Sequence, residues 1–237
     1  MGDGKMSQYF KYAFGELLLV ILGILIALQI NNWNEGRKEK AFEVTVLQEI
    51  DNALTRDSVL INDFFEPRMY VKEAALDTFI RYVGENKPVE RNRFVELYND
   101  LETDFAYRFN TGPYETIKSA GMDRITNDAL RSHLTRIYDE TLPAFKYFIN
   151  VISEKYQPLL ETLEQDVLGV KVTENHKGDW ELSFFPQVMD VYRHPSFLRI
   201  LAYEEEKAEN ARSRMDFIKN IRKELHDMVR KELNKKL

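Results

Sequence analysis

Residues 12–33 read YAFGELLLVILGILIALQINNW, and the architecture turns on how this stretch is housed. Leu17 to Leu28 contains no polar side chain, and only Glu16 and Gln29 interrupt the run from Tyr12 to Ile30. As a helix at about 1.5 Å per residue, that run rises ~28 Å, close to the ~30 Å hydrocarbon core of a bilayer. A buried core helix and a signal-peptide core pass the same length test. Three features favour an uncleaved span. Tyr9, Phe10 and Tyr12 at one end and Trp33 at the other match the aromatic belts of membrane interfaces. Glu16 is near enough to an end for its carboxylate to reach headgroups. The run continues as Gln29, Asn31, Asn32 and Trp33 with no small-residue cleavage site. The expected organisation is a short N-terminal segment (1–11), a transmembrane helix (12–33) and a soluble domain (34–237).

Inside the span Gly15, Gly23 and Ala27 recur at intervals of eight and four, which places them on one helix stripe. Small residues there permit close helix–helix approach, so the stripe is a candidate for self-association, against simple anchoring. Glu16 is the intramembrane carboxylate. An ion-coupling role competes with that of a residue snorkelling at the boundary. Flanking charge leaves orientation open, with Lys5 and Lys11 on one side and Arg37, Lys38 and Lys40 on the other.

Outward from the span, the pattern is helical. Val44, Leu47, Ile50, Leu54, Ile61 and Phe64 step by three, four or seven, the period of one helix face. Pro67 is expected to bend or end that helix. Helices follow over 69–83, 90–101 and from Pro113 to Gly121, then from a cap at Thr126 or Asn127 towards Leu168, with Pro143 and Pro158 expected to kink or break the last. Val170–Phe184 is the one candidate hairpin. From Pro195, no further Pro or Gly occurs, and Ala208, Ala211, Met215, Ile218, Leu225 and Val229 form a coiled-coil-like seam. The fold class is therefore all-α: one transmembrane helix followed by an elongated helical bundle, with one small β-hairpin at most. If the end helices pack antiparallel, the C-terminal basic residues return to the membrane and meet headgroups.

The 237 residues carry 33 Lys/Arg, 39 Asp/Glu and no cysteine. Thiol catalysis, thiolate metal sites and disulfides are excluded. The charge is uneven: residues 212–237 hold nine Lys/Arg against four Asp/Glu, whereas residues 41–211 are strongly acidic. Phosphate repels such a surface, so nucleic acid is not an expected partner. His133, His176, His194 and His226 have no zincin spacing, and neither a phosphate-binding glycine loop nor a nucleophile elbow occurs. No cofactor, metal or catalytic residue is expected. Glu204-Glu205-Glu206 reads as a solvated helical turn. Tyr114, Glu115, Lys118, Ser119 and Arg131 are the tentative pocket residues. They read either as a capped helix with Tyr114 and Ile117 in the core or as a polar site for an anionic ligand or partner peptide. Phe105, Tyr107 and Phe109 read as packing or as a ligand cage.

The run YFKYAFGELLLVILGILIALQINNWNEGRK (9–38) resembles the amino-terminal signature of a family of uncharacterised single-span membrane proteins of Gram-negative bacteria. The matching residues are Gly15, Glu16, Ala27, Leu28, Gln29, Ile30, Asn31, Asn32, Trp33, Asn34 and Glu35. YETIKSAGMDRITNDALRSHLTRIYDE (114–140) is similar to a second family stretch. The resemblance implies an inner-membrane protein with a periplasmic soluble domain and no established activity. The basic segment that often precedes the span in that family is reduced here to MGDGKMSQ. The expected function is that of a membrane-anchored helical interaction or scaffold protein of the cell envelope. Its partners would be the lipid bilayer and either a second copy or another envelope protein. A sensor-like ligand-binding domain acting through a partner is the alternative, and an ion-coupled subunit using Glu16 a third reading.

Overall fold

The structure, a computed structural model, describes residues 3–103, 109–174 and 177–237, except the side chains of 3–13, Ser153 and Glu181. Lys5, Tyr9, Phe10, Lys11, Tyr12, Phe105, Tyr107 and the turn at 175–176 thus fall outside the described side chains.

Helix α1 (Asp3–Leu60) is one uninterrupted helix of 58 residues, ~87 Å by its rise. From Phe14 to Trp33 every side chain is exposed all the way round, and none of its apolar window is buried. This helix is long and apolar enough to cross a membrane. From Glu43 onward only one face is buried, through Val46, Leu47, Ile50, Ala53, Leu54 and Asp57.

Pro67 does not end the helix. A single π-turn, Ile61–Phe65, joins α1 to α2 (Glu66–Gly84), and the Glu66 N–H donates to the carbonyl of Ile61, five residues back. The wider turn relieves the clash that a proline ring makes with the carbonyl four residues earlier. The extra residue also rotates the buried face by about 100°. Phe65 therefore enters the core, whereas Phe64, which the periodicity placed inside, is 56 % exposed. The same device recurs at Pro143. α5 (Asp128–Thr135) runs through a π-turn, Arg136–Thr141, into α6 (Leu142–Val167), and Leu142 N–H donates to Ile137 O. Pro158 stays within α6. The expected breaks are thus absorbed, because one widened turn costs less than losing the packing of a whole helix.

Between these lie α3 (Arg91–Leu101) and α4 (Gly112–Ala120). Gly121, at φ +111°, ends α4; a Cβ there would lie 2.6 Å from the Asp123 carboxylate. Asn127 caps α5, its side chain accepting from Leu130 N–H. After α6, β1 (Leu168–Glu174) and β2 (Trp180–Pro186) form an antiparallel hairpin with Gly169 opposite Phe185. The Phe185 ring lies where a Gly169 Cβ would be. Finally α7 (Pro195–Lys236) runs back along the bundle.

The register of α7 against α1 and α2 is legible in its polar pairs. Lys236 meets Glu43 at 2.9 Å, Arg230 and His226 meet Asp51 at 2.8 Å, Arg222 meets Asp57 at 3.0 Å, Arg212 and Lys219 meet Glu66, and Glu204 meets Lys72. Rising numbers on one strand of the bundle pair with falling numbers on the other, so the helices are antiparallel. Two apolar cores result. The one nearer the apolar end of α1 unites α1, α4, α5, the start of α6 and the end of α7 around Leu47, Ile50, Leu130, Ile218 and Val229. The far one unites α2, α3, the end of α6 and the start of α7 around Phe79, Phe94, Tyr98 and Phe197. A narrow waist of Ile61, Phe65, Met69, Ala211 and Met215 joins them at the first π-turn. All six seam residues expected on α7 are buried.

Candidate functional site

Buried charge marks where this bundle departs from an apolar packing rule. Glu43, Asp57, Lys72, Glu204, Arg222 and Glu232 are all at most 6 % exposed. Each occupies a core position of its helix: Glu43 and Asp57 continue the stripe of Leu47, Ile50 and Leu54, and Arg222 that of Met215, Ile218 and Leu225. Isolated charges at such positions are prohibitive, and the structure pairs Glu43, Asp57, Lys72, Glu204 and Arg222 across the bundle and Glu232 with Lys235 and Lys236 of its own helix. Arg222 also donates to Leu54 O, and Asp57 accepts from Asn110 N–H. Lys72 also donates to Leu101 O at 2.7 Å. Glu204 takes Lys207 besides Lys72, which corrects the reading of 204–206 as a uniformly solvated turn. Burial faces Glu204 towards α2 because it lies one turn before Ala208 on the seam.

The densest cluster sits at the base of the bundle, where α1 emerges from its apolar stretch. Glu43 accepts from the N–H and hydroxyl of Thr126 at 2.9 and 3.1 Å and from Lys236. Lys236 also donates to Thr126 Oγ1 at 2.7 Å and approaches Glu232 at 3.3 Å. Glu232 accepts from Asn127 Nδ2 at 2.7 Å and from Lys235 at 3.1 Å. The Asn127 bond, joined by those of Lys235 and Lys236, holds Glu232 below the usual glutamate range. Burial pulls Lys236 down, but the Glu43 and Glu232 carboxylates outweigh it and hold it above the ordinary lysine value. The N-terminal turn of α5, the C-terminus of α7 and α1 are thereby bolted together.

Beside this bolt opens a polar cleft of about 800 Å³ lined by Gly36, Glu39, Lys40, Asp123, Arg124 and Lys236, among others. Arg124 stacks on Phe42, 4.8 Å from the ring centre, and reaches Glu39 at 3.6 Å. Lys219, Arg222, Lys223, Arg230, Lys235 and Lys236 are each paired with a carboxylate of the protein. Antiparallel packing carries these cations back towards the apolar end of α1, where carboxylates of α1 and α2 pair with Lys219, Arg222, Arg230 and Lys236, whereas Lys223 and Lys235 pair with Asp227 and Glu232 of α7 itself.

The pocket residues nominated from sequence are only partly brought together. Tyr114 is buried and stacks on Tyr138 at 4.6 Å. Its hydroxyl donates to Asp139, as does Lys118 at 2.7 Å. Burial and the Asp139 carboxylate push the Tyr114 phenol up to about 12. Glu115 is exposed, Ser119 donates to Thr116 O within its own helix, and Arg131 braces Ile125 O and Asp128. Gly15, Glu16, Gly23 and Ala27 are exposed, and nothing lies within 4 Å of a Cβ built at Gly15 or Gly23. Trp33 is exposed, with Arg37 5.5 Å over its ring. His133, His194 and His226 lie apart on separate partners. Among the described residues, no group of three or more His, Asp or Glu is placed to hold a metal ion. What sequence reasoning missed, Glu43 with Thr126, Glu232 and Lys236, left one signal: a carboxylate on an apolar stripe.

At the opposite end the hairpin presents Val170, Val172, Trp180 and Leu182, all more than half exposed, on one face. Phe184 of the same face packs on Tyr98 and ties the hairpin to the far core.

No curated protein and no solved structure matches this chain. A family profile does, over residues 16–162, from the candidate span through α6. With more than half of its length matched, the chain belongs to DUF6090, a family of unknown function.

Proposed function

We propose that the protein is a single-span, membrane-anchored interaction protein of the bacterial cell envelope, with its bundle on the periplasmic side of the inner membrane. The observation that carries this reading is the continuity of α1. A fully exposed apolar run passes without a break into a helix packed along α7. A patch of that size is untenable in water and comfortable in lipid. The bundle is therefore held stiffly on its anchor, and its apolar hairpin projects at the far end. Val170, Val172, Trp180 and Leu182 offer a partner an apolar β surface, and among the described residues the two-stranded sheet has no third strand.

The test has two arms on the full chain. A reporter active only outside the cytoplasm, fused after Leu237, is expected to be active; activity only of a cytoplasmic reporter overturns the orientation. A photocrosslinking residue at Leu182 is expected to give one discrete adduct, and the same residue at exposed Glu49 none. Equal adducts at both positions overturn the assignment of the hairpin. Glu16→Gln is expected to leave membrane insertion and the adduct unchanged. Loss of function with intact assembly would instead favour ion coupling.

A further inference from the structure

The cleft at the base stands at a defined height. Gly36 and Lys40 follow Trp33 by three and seven residues, ~5 and ~10 Å of helical rise. The polar layer outside the hydrocarbon is ~5–8 Å thick on each side. If residues 12–33 span the bilayer, as proposed above, Gly36 at the mouth of the cleft stands within the headgroup layer and Lys40 just outside it, close enough for its long side chain to reach back to phosphate.

Its wall charges are not all spoken for. Lys236 and Glu43 satisfy each other, and Arg124 leans on Phe42 and Glu39. Lys40 and Asp123 line the same cleft, and among the described residues neither has a side-chain hydrogen bond or ion pair. One spare cation and one spare carboxylate in a roomy polar cleft complement a zwitterion rather than a simple anion.

We propose that the cleft binds the headgroup of a zwitterionic aminophospholipid, its phosphate against Lys40 and Arg124 and its primary ammonium against Asp123. Guanidinium and ammonium groups donate to phosphate oxygens, and a primary ammonium supplies three N–H donors to a carboxylate. A quaternary ammonium supplies none, so the site discriminates between the two amines. The lipid would then hold the base of the bundle to the leaflet from which α1 emerges.

The experiment uses the full chain in a non-ionic detergent, titrated with dihexanoyl-phosphatidylethanolamine, with its phosphatidylcholine and phosphatidylglycerol counterparts, and with O-phosphoethanolamine, by calorimetry. Saturable binding of the ethanolamine lipid at least tenfold tighter than the choline lipid is expected. Asp123→Asn is expected to abolish that preference without weakening the glycerol lipid, and Lys40→Ala to weaken all three phosphate lipids about tenfold. Both variants should melt like the parent without lipid, since neither side chain has a partner to lose. Equal binding of choline and ethanolamine lipids, or unchanged binding by both variants, overturns the proposal. O-Phosphoethanolamine binding as tightly as the lipid overturns the lipid assignment in favour of a soluble ligand. Flotation of the parent with phospholipid vesicles tests the span separately: failure to float defeats the anchoring, whereas flotation with unselective binding defeats only the headgroup site.

Discussion

Asp57 and Arg222 show what a buried charge does at one position. Both are almost fully enclosed and 3.0 Å apart. Removing one partner strands the other in a low-dielectric interior, which typically costs 3–5 kcal/mol. Asp57→Ala is expected to cost about that much in urea denaturation of the full chain in detergent. Replacing both by apolar residues of similar size, Asp57→Leu with Arg222→Met, should recover most of the loss. A double variant as unstable as the single one would show that the pair supplies more than charge compensation. Glycine matters at a different kind of site. Gly121 adopts φ +111° and its missing Cβ leaves room for the Asp123 carboxylate. Gly121→Ala therefore meets both backbone strain and a 2.6 Å contact, and about 1–3 kcal/mol of destabilisation is expected. A melting temperature equal to the parent's would contradict this account of the α4 terminus.

At the scale of elements, the two π-turns are the main lesson. Each precedes a proline by two residues, and each keeps a helix going where the residue type argues for a stop. The proline was legible in the sequence; the response to it was not. Whether a chain breaks or widens a turn depends on what the following helix gains by packing. Here α2 brings Met69, Leu76 and Phe79 to the core, and α6 brings Phe145 and Tyr156. Pro67→Ala removes the steric reason for the first π-turn. The expected outcome is a shift of the buried face in which Phe65 and Phe64 compete for the same position. Hydrogen-exchange protection of the 61–66 amides should then change while protection at 46–54 stays constant. Unchanged exchange at 61–66 would mean that packing, and not the proline, imposes the turn.

Across the whole molecule, carboxylates set the response to pH. Glu232 is held low by Asn127, Lys235 and Lys236. Burial pushes Glu66 up, but hydrogen bonds from Lys219 and Arg212 outweigh it and leave it low as well. A folded-state value below the unfolded one contributes stability that is present above the ordinary glutamate value of 4.5 and lost as pH falls through the folded value. The bundle is therefore expected to weaken steadily as pH drops below about 4.5. Glu232→Gln should flatten part of that slope in denaturation curves taken between neutral and acid pH. An unchanged slope would exclude Glu232 as a contributor. Removing residues 230–237 is a test at the same scale. It deletes Leu233 and Lys236 and leaves Glu43 buried with Thr126 alone. The expected result is a bundle several kcal/mol less stable, read as a lower melting temperature, with vesicle flotation unchanged because α1 is intact. Lost flotation with an unchanged melting temperature would instead return the basic tail to the role of lipid contact.

The apolar run at 17–28, the helical period on either side of it, a cap at Thr126 or Asn127 and the α7 seam belong to the sequence alone, because each is a local pattern in which spacing dictates a face. The buried charges leave only a faint mark there, as Glu43, Asp57 and Arg222 on apolar stripes, and Glu204 reads instead as solvated. Their partners leave none. Glu43 is nearly two hundred residues from Lys236, and no local rule says which lysine closes on which glutamate. Antiparallel packing of α7 on α1 and α2 makes that choice, and with it ties down Lys219, Arg222, Arg230 and Lys236 of a tail that reads as free to meet lipid. The cleft is likewise tertiary, since α1, the turn after α4 and the end of α7 each supply a wall. Spacing along a chain fixes what one helix presents; only the docking of helices decides what that face meets.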